Sequence, residues 1–119
     1  MKVAVTSKGE DLDSEVDPRF GRAAYILIVE TDDDTVKVMD NSENVNAFKG
    51  AGIQAAASVG DSGAEVLLTG YCGPNAFKIL AAAGVKVANG ASGTAKDAVD
   101  AYKGGKVTFA DEANVDGHW

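Results

Sequence analysis

The apolar pattern of this chain changes period halfway along, and that change constrains the fold more than any other feature. Up to about residue 40 the apolar residues alternate or run together, as in strands. From residue 50 onward they recur at helical spacing between short apolar runs. Residues 2–6 (KVAVT), 24–30 (AYILIVE) and 35–40 (TVKVMD) read as strands, the last two joined by the turn Asp32-Asp33-Asp34 into a hairpin. Residues 50–60 read as a helix with Ile53, Ala56 and Ala57 on its inner face. A strand over 65–69 follows. Pro74 then opens a helix carrying Phe77, Leu80 and Ala81 on one face, with Gly84 as its stop. Residues 85–88 form another strand. The last helix, 94–102, places Ala95, Ala98, Val99 and Tyr102 on one side, and Thr94-x-x-Asp97 opens it as a capping box.

The order β-β-β-α-β-α-β-α predicts an α/β fold. An antiparallel meander is followed by parallel βαβ units, giving one mixed five-stranded sheet with helices packed on it. The 119 residues suit a single domain, 1–119, with 107–119 expected as a polar C-terminal tail. Gly (14) and Ala (20) together make 34 of the 119 residues, a share that calls for close backbone approach.

Composition narrows the chemistry. No apolar run approaches the ~20 residues of a membrane span, and residues 1–10 read as a strand rather than a leader. A formal charge of −7 argues against nucleic acid as a partner. A lone cysteine, Cys72, cannot form an internal disulfide and fits a reducing cytoplasm. One Cys and one His, His118, fall short of the about four ligands of an ordinary structural zinc site. A metal site here is therefore sparse, shared, or filled by a group that brings its own ligands. The sequence holds none of the phosphate-loop, dinucleotide, serine-hydrolase or zinc-protease patterns, so no catalytic residue is assigned.

In sheets of this kind ligands gather beyond the C-terminal strand ends. Four segments can reach that edge: Ser7 to Arg22, Lys49-Gly50-Ala51-Gly52, Gly70 to Gly73, and Asn89 to Gly93. The Gly-rich entries to helices at 50, 73 and 93 offer backbone N–H groups to an anion, or serve only as tight turns and stops. Lys8, Arg19, Arg22 and Lys49 fall in or beside these segments, as ligand cations or as scattered surface charge. Phe20 covers a ligand or anchors its loop to the core. Cys72, between a strand end and a helix start, reads as an exposed thiol of lowered pKa or as a small buried residue. His118 and Trp119 form a lid or a free tail.

Asp17-Pro18-Arg19-Phe20-Gly21-Arg22-Ala23, Gly50-Ala51-Gly52-Ile53-Gln54-Ala55-Ala56, Gly73-Pro74-Asn75-Ala76-Phe77 and the Gly84/Gly90/Gly93 pattern together resemble the dinitrogenase iron-molybdenum cofactor biosynthesis family. The resemblance runs from residue 2 to about 107, and the ending Ala113 to Trp119 looks most like its orange-protein branch. It implies a three-layer α/β/α sandwich with a ribonuclease-H-like sheet motif. It also implies a non-catalytic, cytoplasmic, monomeric carrier or scaffold for an anionic molybdenum-containing sulfide cluster, with a mixed Mo–Cu sulfide as one form, that meets protein partners during cluster delivery. On that reading Ser7, Lys8, Arg19, Phe20, Gly21, Arg22, Lys49, Gly50, Ala51, Gly52, Tyr71, Gly73 and Gly90 surround the cluster, and Cys72 and His118 contact metal. The rival readings are a protein-docking module with no obligatory cluster and a small enzyme using Cys72.

Overall fold

A computed structural model describes residues 1–41 and 51–110. Its elements are β1 (Lys2–Ser7), β2 (Tyr25–Glu30), β3 (Val36–Asp40), α1 (Ala51–Asp61), β4 (Val66–Leu68), α2 (Pro74–Ala82), β5 (Lys86–Ala88) and α3 (Ala95–Lys103). The five strands form one sheet in the order β3-β2-β1-β4-β5. β1 runs antiparallel to β2 and parallel to β4, and β5 continues parallel to β4. The winding therefore reverses beside β1. Ser7 pairs with Tyr25 and Tyr25 with Asp40, so the ends of β1, β4 and β5 share one edge with the start of β2 and the end of β3.

Strand alternation splits the interior in two. Ala4, Ile26, Ile28, Leu67 and Val87 face α1 and α2, where Ala55, Ala56, Val59, Ala76 and Leu80 cover them. Val3, Val5, Leu27, Val29, Val66 and Leu68 face α3 and meet Ala95, Ala98 and Val99. The result is a three-layer sandwich, as the element order requires.

Helix phase differs from the sequence expectation in two places. Ile53 is 43% exposed and Ala57 is exposed, while the buried stripe of α1 is Ala55, Ala56 and Val59. The reason is close helix contact. A Cβ on Gly52 would lie 3.5 Å from Ala76 Cβ, and one on Gly60 would lie 3.1 Å from Ala83 Cβ. Small residues set which side of α1 meets α2, and Ile53 is left outside. In α2 the buried residues are Ala76 and Leu80, with Phe77 and Ile79 partly buried and Ala81 exposed. The periodicity held in both helices; its phase was set by Ala and Gly rather than by the largest apolar side chains.

Of the polar tail expected over 107–119, residues 107–110 are described, and they lie against the sheet. Phe109 bridges to Ala88, the Ala110 N–H donates to Val87 O at 2.7 Å, and Val107 packs on the α3-side core. Residues 107–110 thus cover the outer edge of β5, which would otherwise be open to pairing. Lys86 Nζ sits 5.5 Å from the Phe109 ring centre, and Tyr102 meets that ring edge-on at 6.4 Å. At the other end of the sheet, Lys103 pairs with Asp34 at 2.6 Å and ties the hairpin turn to the last turn of α3.

Candidate functional site

The segment from Ser7 to Arg22 carries six of the fifteen predicted site residues, and the structure divides it into two arms. The first arm, 8–16, folds back against the α3 side. Ser7 bridges to Val16 and Glu15 to Thr94, and Leu12 and Val16 pack on the α3-side core. Lys8 pairs with Glu15 at 3.3 Å within this arm, both side chains being exposed. Ser7 is fully buried, and its hydroxyl donates to Gly9 O at 2.8 Å. Ser7 therefore closes a local turn.

The second arm, 17–22, lies on the β4–α2 loop. Tyr71 N–H donates to Pro18 O at 2.6 Å and Phe20 N–H to Tyr71 O at 3.1 Å, with Arg19 and Tyr71 bridged in parallel. The two loops run as an added pair of short strands beyond the sheet. This contact requires Gly70, because a Cβ there would sit 2.6 Å from Pro18 O and 2.7 Å from Pro18 Cα. Those are backbone atoms that cannot swing aside. Beneath the clamp, Thr6 Oγ1 donates to Asp17 O at 2.6 Å and lies 2.9 Å from Thr69 Oγ1. Both threonines are fully buried. Asp17 then accepts from the Arg19 N–H at 3.1 Å, and its carboxylate lies 4.0 Å from Arg19 Nε. Thr6 and Thr69 are absent from the sequence expectation, and Gly70 enters it only as the start of a tight loop. The signal was available: Val5 pairs with Leu68, which puts the next residues, both threonines, side by side at the ends of parallel strands.

This clamp presents Arg19 and Tyr71 at its rim, 55% exposed for the Arg19 side chain and 45% for Tyr71. Arg22 is half-buried, and its N–H donates to Arg19 O at 3.1 Å. Gly21 adopts φ +92, a backbone conformation that glycine enters without strain. Phe20 does not cover a ligand. It is 2% exposed and packs in the α1/α2-side core, so it anchors the arm.

Cys72 also points inward. Its side chain is fully buried in the same core. Burial pushes the thiol up to about 12, the opposite of the lowered value expected for an exposed thiol at a helix start. The dipole of α2 does not offset the loss of hydration. A neutral, enclosed thiol supplies neither a nucleophile nor a ligand to anything bound at the surface. Among the described residues there is no group of three His, Cys, Asp or Glu that could hold a metal ion.

Of the helices that start at this edge, α2 and α3 have entries that lie wholly within the described residues. α3 is closed: Thr94 N–H donates to Asp97 Oδ2, Ala95 N–H to Ser14 O, Lys96 N–H to Leu12 O and Asp97 N–H to Thr94 Oγ1, all within 2.8–3.1 Å. The capping box predicted from Thr94 and Asp97 is present, and with the first arm it uses the N–H groups of Thr94, Ala95, Lys96 and Asp97. α2 is open: its N-cap is Gly73, no side chain caps it, and Pro74 fills the first turn. The N–H groups of Gly73, Asn75 and Ala76 have no acceptor among the described residues. Gly90 is joined to the clamp, its N–H donating to Gly70 O at 3.1 Å, but it lines a cavity on the α3 side. Gly52 packs against α2, and Ala51 is the first residue of α1. Lys49, Gly50, His118 and Trp119 lie outside the described residues.

The edge thus combines an uncapped helix N-terminus, an exposed guanidinium and a phenol ring on a rigid clamp. Such a combination has the chemistry to meet an anion that supplies its own ligands. It does not build a coordination sphere for a bare ion.

Comparison with known proteins bears on the family and the fold. A family model described as dinitrogenase iron-molybdenum cofactor matches residues 1–105. The apo form of the orange protein of Desulfovibrio gigas is 44% identical, with a TM-score of 0.92 over 96% of each chain. A Thermotoga protein named as a NifB candidate of the DUF35 family is 38% identical, with a TM-score of 0.78 over 91% of each chain. A Methanocaldococcus jannaschii protein described as a dinitrogenase candidate is 17% identical, with a TM-score of 0.67 over 94% of this chain and 96% of its own, and shares the fold alone. No curated protein matches.

Proposed function

We infer the function from one premise: the chain belongs to the dinitrogenase iron-molybdenum cofactor family. It is a carrier or scaffold for an anionic molybdenum-containing metal–sulfur cluster, and a mixed Mo–Cu sulfide is the form its likeness to the orange protein favours. The observation that carries this reading is the open N-terminus of α2 beside the Arg19–Tyr71 clamp. Sulfides of such a cluster would accept the N–H groups of Gly73, Asn75 and Ala76, with the positive end of the α2 dipole behind them. Arg19 would offset part of the charge, and the Tyr71 ring would cover one side. Arg22 and Gly21 hold the arm in place. Lys49, Gly50 and His118 belong to the same proposal as further contacts.

The donor set fits a cluster that arrives with its own sulfur. Holding it needs shape, N–H groups and a cation, and no thiolate. We assign no catalytic residue, because the buried Cys72 has neither exposure nor a base among its described neighbours. Residence in the cytoplasm as a monomer, with protein partners at delivery, completes the proposal. Among the described residues no helix is long and apolar enough to cross a membrane.

Reconstitution with tetrathiomolybdate and copper tests the reading. A coloured protein with a charge-transfer band, retained through gel filtration at a fixed metal ratio, is the expected result. A colourless protein after gel filtration overturns it.

A further inference from the structure

Thr6 and Thr69 stand side by side at the ends of β1 and β4, fully buried, with their hydroxyl oxygens 2.9 Å apart. The direction of that contact follows from the hydrogens available. Thr6 has one hydroxyl hydrogen, and a carbonyl can only accept, so this hydrogen goes to Asp17 O at 2.6 Å. Thr69 is therefore the donor to Thr6 Oγ1. Packing alone is met by valine at both positions, since a buried hydroxyl costs free energy until it is bonded.

Both ends of this hydroxyl relay are tied down. On one side, Thr69 N–H donates to Ala88 O at 3.1 Å, and Ala91 N–H donates to Thr69 O at 3.0 Å. On the other, Asp17 N–H donates to Thr6 O at 3.0 Å, so Thr6 holds both backbone polar groups of Asp17. Asp17 is 7% exposed, and its carboxylate meets Arg19 twice. It accepts from the Arg19 N–H at 3.1 Å and lies 4.0 Å from Arg19 Nε. One line of polar contacts thus runs from the loop after β5, through Thr69, Thr6 and Asp17, to a guanidinium that is itself 55% exposed.

We propose that the Thr69–Thr6 hydroxyl relay is a positioning device that fixes the Arg19 guanidinium at the rim, acting through Asp17. Neither threonine touches a ligand in this role. The consequence for binding rests on the proposed function. With the relay in place, the guanidinium stands ready beside the open start of α2. Without it, Arg19 keeps its charge but has no set place, and a bound anion must order the side chain at the cost of affinity.

The first measurement needs no ligand. The NMR order parameter of the Arg19 Nε–H bond in the full chain should fall in Thr6→Val and in Thr69→Val, and return in Thr6→Ser, which keeps the hydroxyl. Thr69→Val leaves the bond from Thr6 to Asp17 intact, so it carries the test if Thr6→Val folds poorly. An order parameter equal to wild type in the valine variants overturns the proposal. The second measurement is affinity for the cluster formed from tetrathiomolybdate and copper. Thr6→Val should weaken it about tenfold, and Thr6→Ser should stay within about twofold of wild type. In an Arg19→Gln background, Thr6→Val should weaken binding no further, while its effect on the urea midpoint persists. The same loss of affinity in both backgrounds would show that Thr6 acts on the fold at large, and would overturn the proposal. If wild type takes up no cluster, the proposed function fails, and the Arg19 order parameter still decides for or against the relay.

Discussion

α2 and α3 begin at the same edge of the sheet, each after a Gly-containing loop, and they end up with opposite chemistry. The first turn of α3 is satisfied four times over, by its own Thr94 and Asp97 and by two carbonyls of the 8–16 arm. The first turn of α2 has a glycine cap, a proline and no side-chain acceptor. Capping is worth about 1 kcal/mol at each helix, so leaving α2 uncapped forgoes stability that α3 collects. Groups left unsatisfied at a helix start are what an anion binds. On the proposed function, α3 holds the fold and α2 holds the ligand, a division that substitutions at either helix start can break.

The largest effect concerns the thiol beneath the open end. Cys72 is raised from 9.0 to about 12 by burial, so it stays neutral when folded and ionises when unfolded. Its contribution to stability is complete below pH 9 and is lost as pH climbs toward 12, because over that window only the unfolded chain releases the proton. At about 1.4 kcal/mol per unit, the loss approaches about 4 kcal/mol. Urea unfolding of wild type and Cys72→Ala between pH 8 and 11 reads it as a slope that the variant lacks. A thiol that is alkylated by iodoacetamide in the native protein at pH 8 would instead make Cys72 part of the open site.

Gly70→Val comes next. Its side chain would meet the backbone of Pro18, and the 17–22 arm must shift to admit it. Overpacking of this kind costs about 1–3 kcal/mol, measured by urea unfolding. Displacing Arg19 and Tyr71 together should also abolish cluster uptake. Full uptake on a destabilised chain would show that the clamp is not part of the site.

Gly73→Asp asks whether α2 can be made to behave like α3. Gly73 is extended, with φ −74 and ψ 166, which is the backbone of a capping residue. The new carboxylate would accept from the first turn and leave stability unchanged or a few tenths of a kcal/mol higher. It would also occupy the donors and bring a negative charge, weakening tetrathiomolybdate uptake by about tenfold. Unchanged uptake would remove α2 from the site. The reciprocal variant, Thr94→Ala, should cost about 1 kcal/mol in unfolding and leave uptake as it was.

These variants also show where the sequence was legible. The change of period at residue 50 revealed every strand and helix, because alternation and helical spacing act along the chain. The box at Thr94 and Asp97 was visible for the same reason. What escaped were features made by the meeting of distant segments. Gly70 matters only because Pro18 lies on it, and Ser14 and Leu12 close α3 from eighty residues away. Phe20 and Cys72 looked like ligand contacts in a loop rich in charge and glycine. Burial decides both, and burial depends on how α1 and α2 close over the loop.

The smallest expected effect tests the division inside the 7–22 loop itself. Lys8 and Arg19 are both exposed cations of one acidic chain, and a charge count treats them alike. Lys8, however, belongs to the arm that closes α3, and its partner Glu15 is 3.3 Å away and equally wet. An exposed pair of this kind contributes about 0–1 kcal/mol, and the screening of water and salt reaches both ends of it. Lys8→Ala should therefore leave unfolding within about 0.5 kcal/mol of wild type and cluster uptake unaltered. The result carries weight because the overall charge becomes −8, from −7 less one cation. If affinity for an anion followed total charge, uptake would fall. If it follows the donors at the α2 end and the guanidinium beside them, it will not move, and a fall in uptake for Lys8→Ala would erase the line drawn between the two arms.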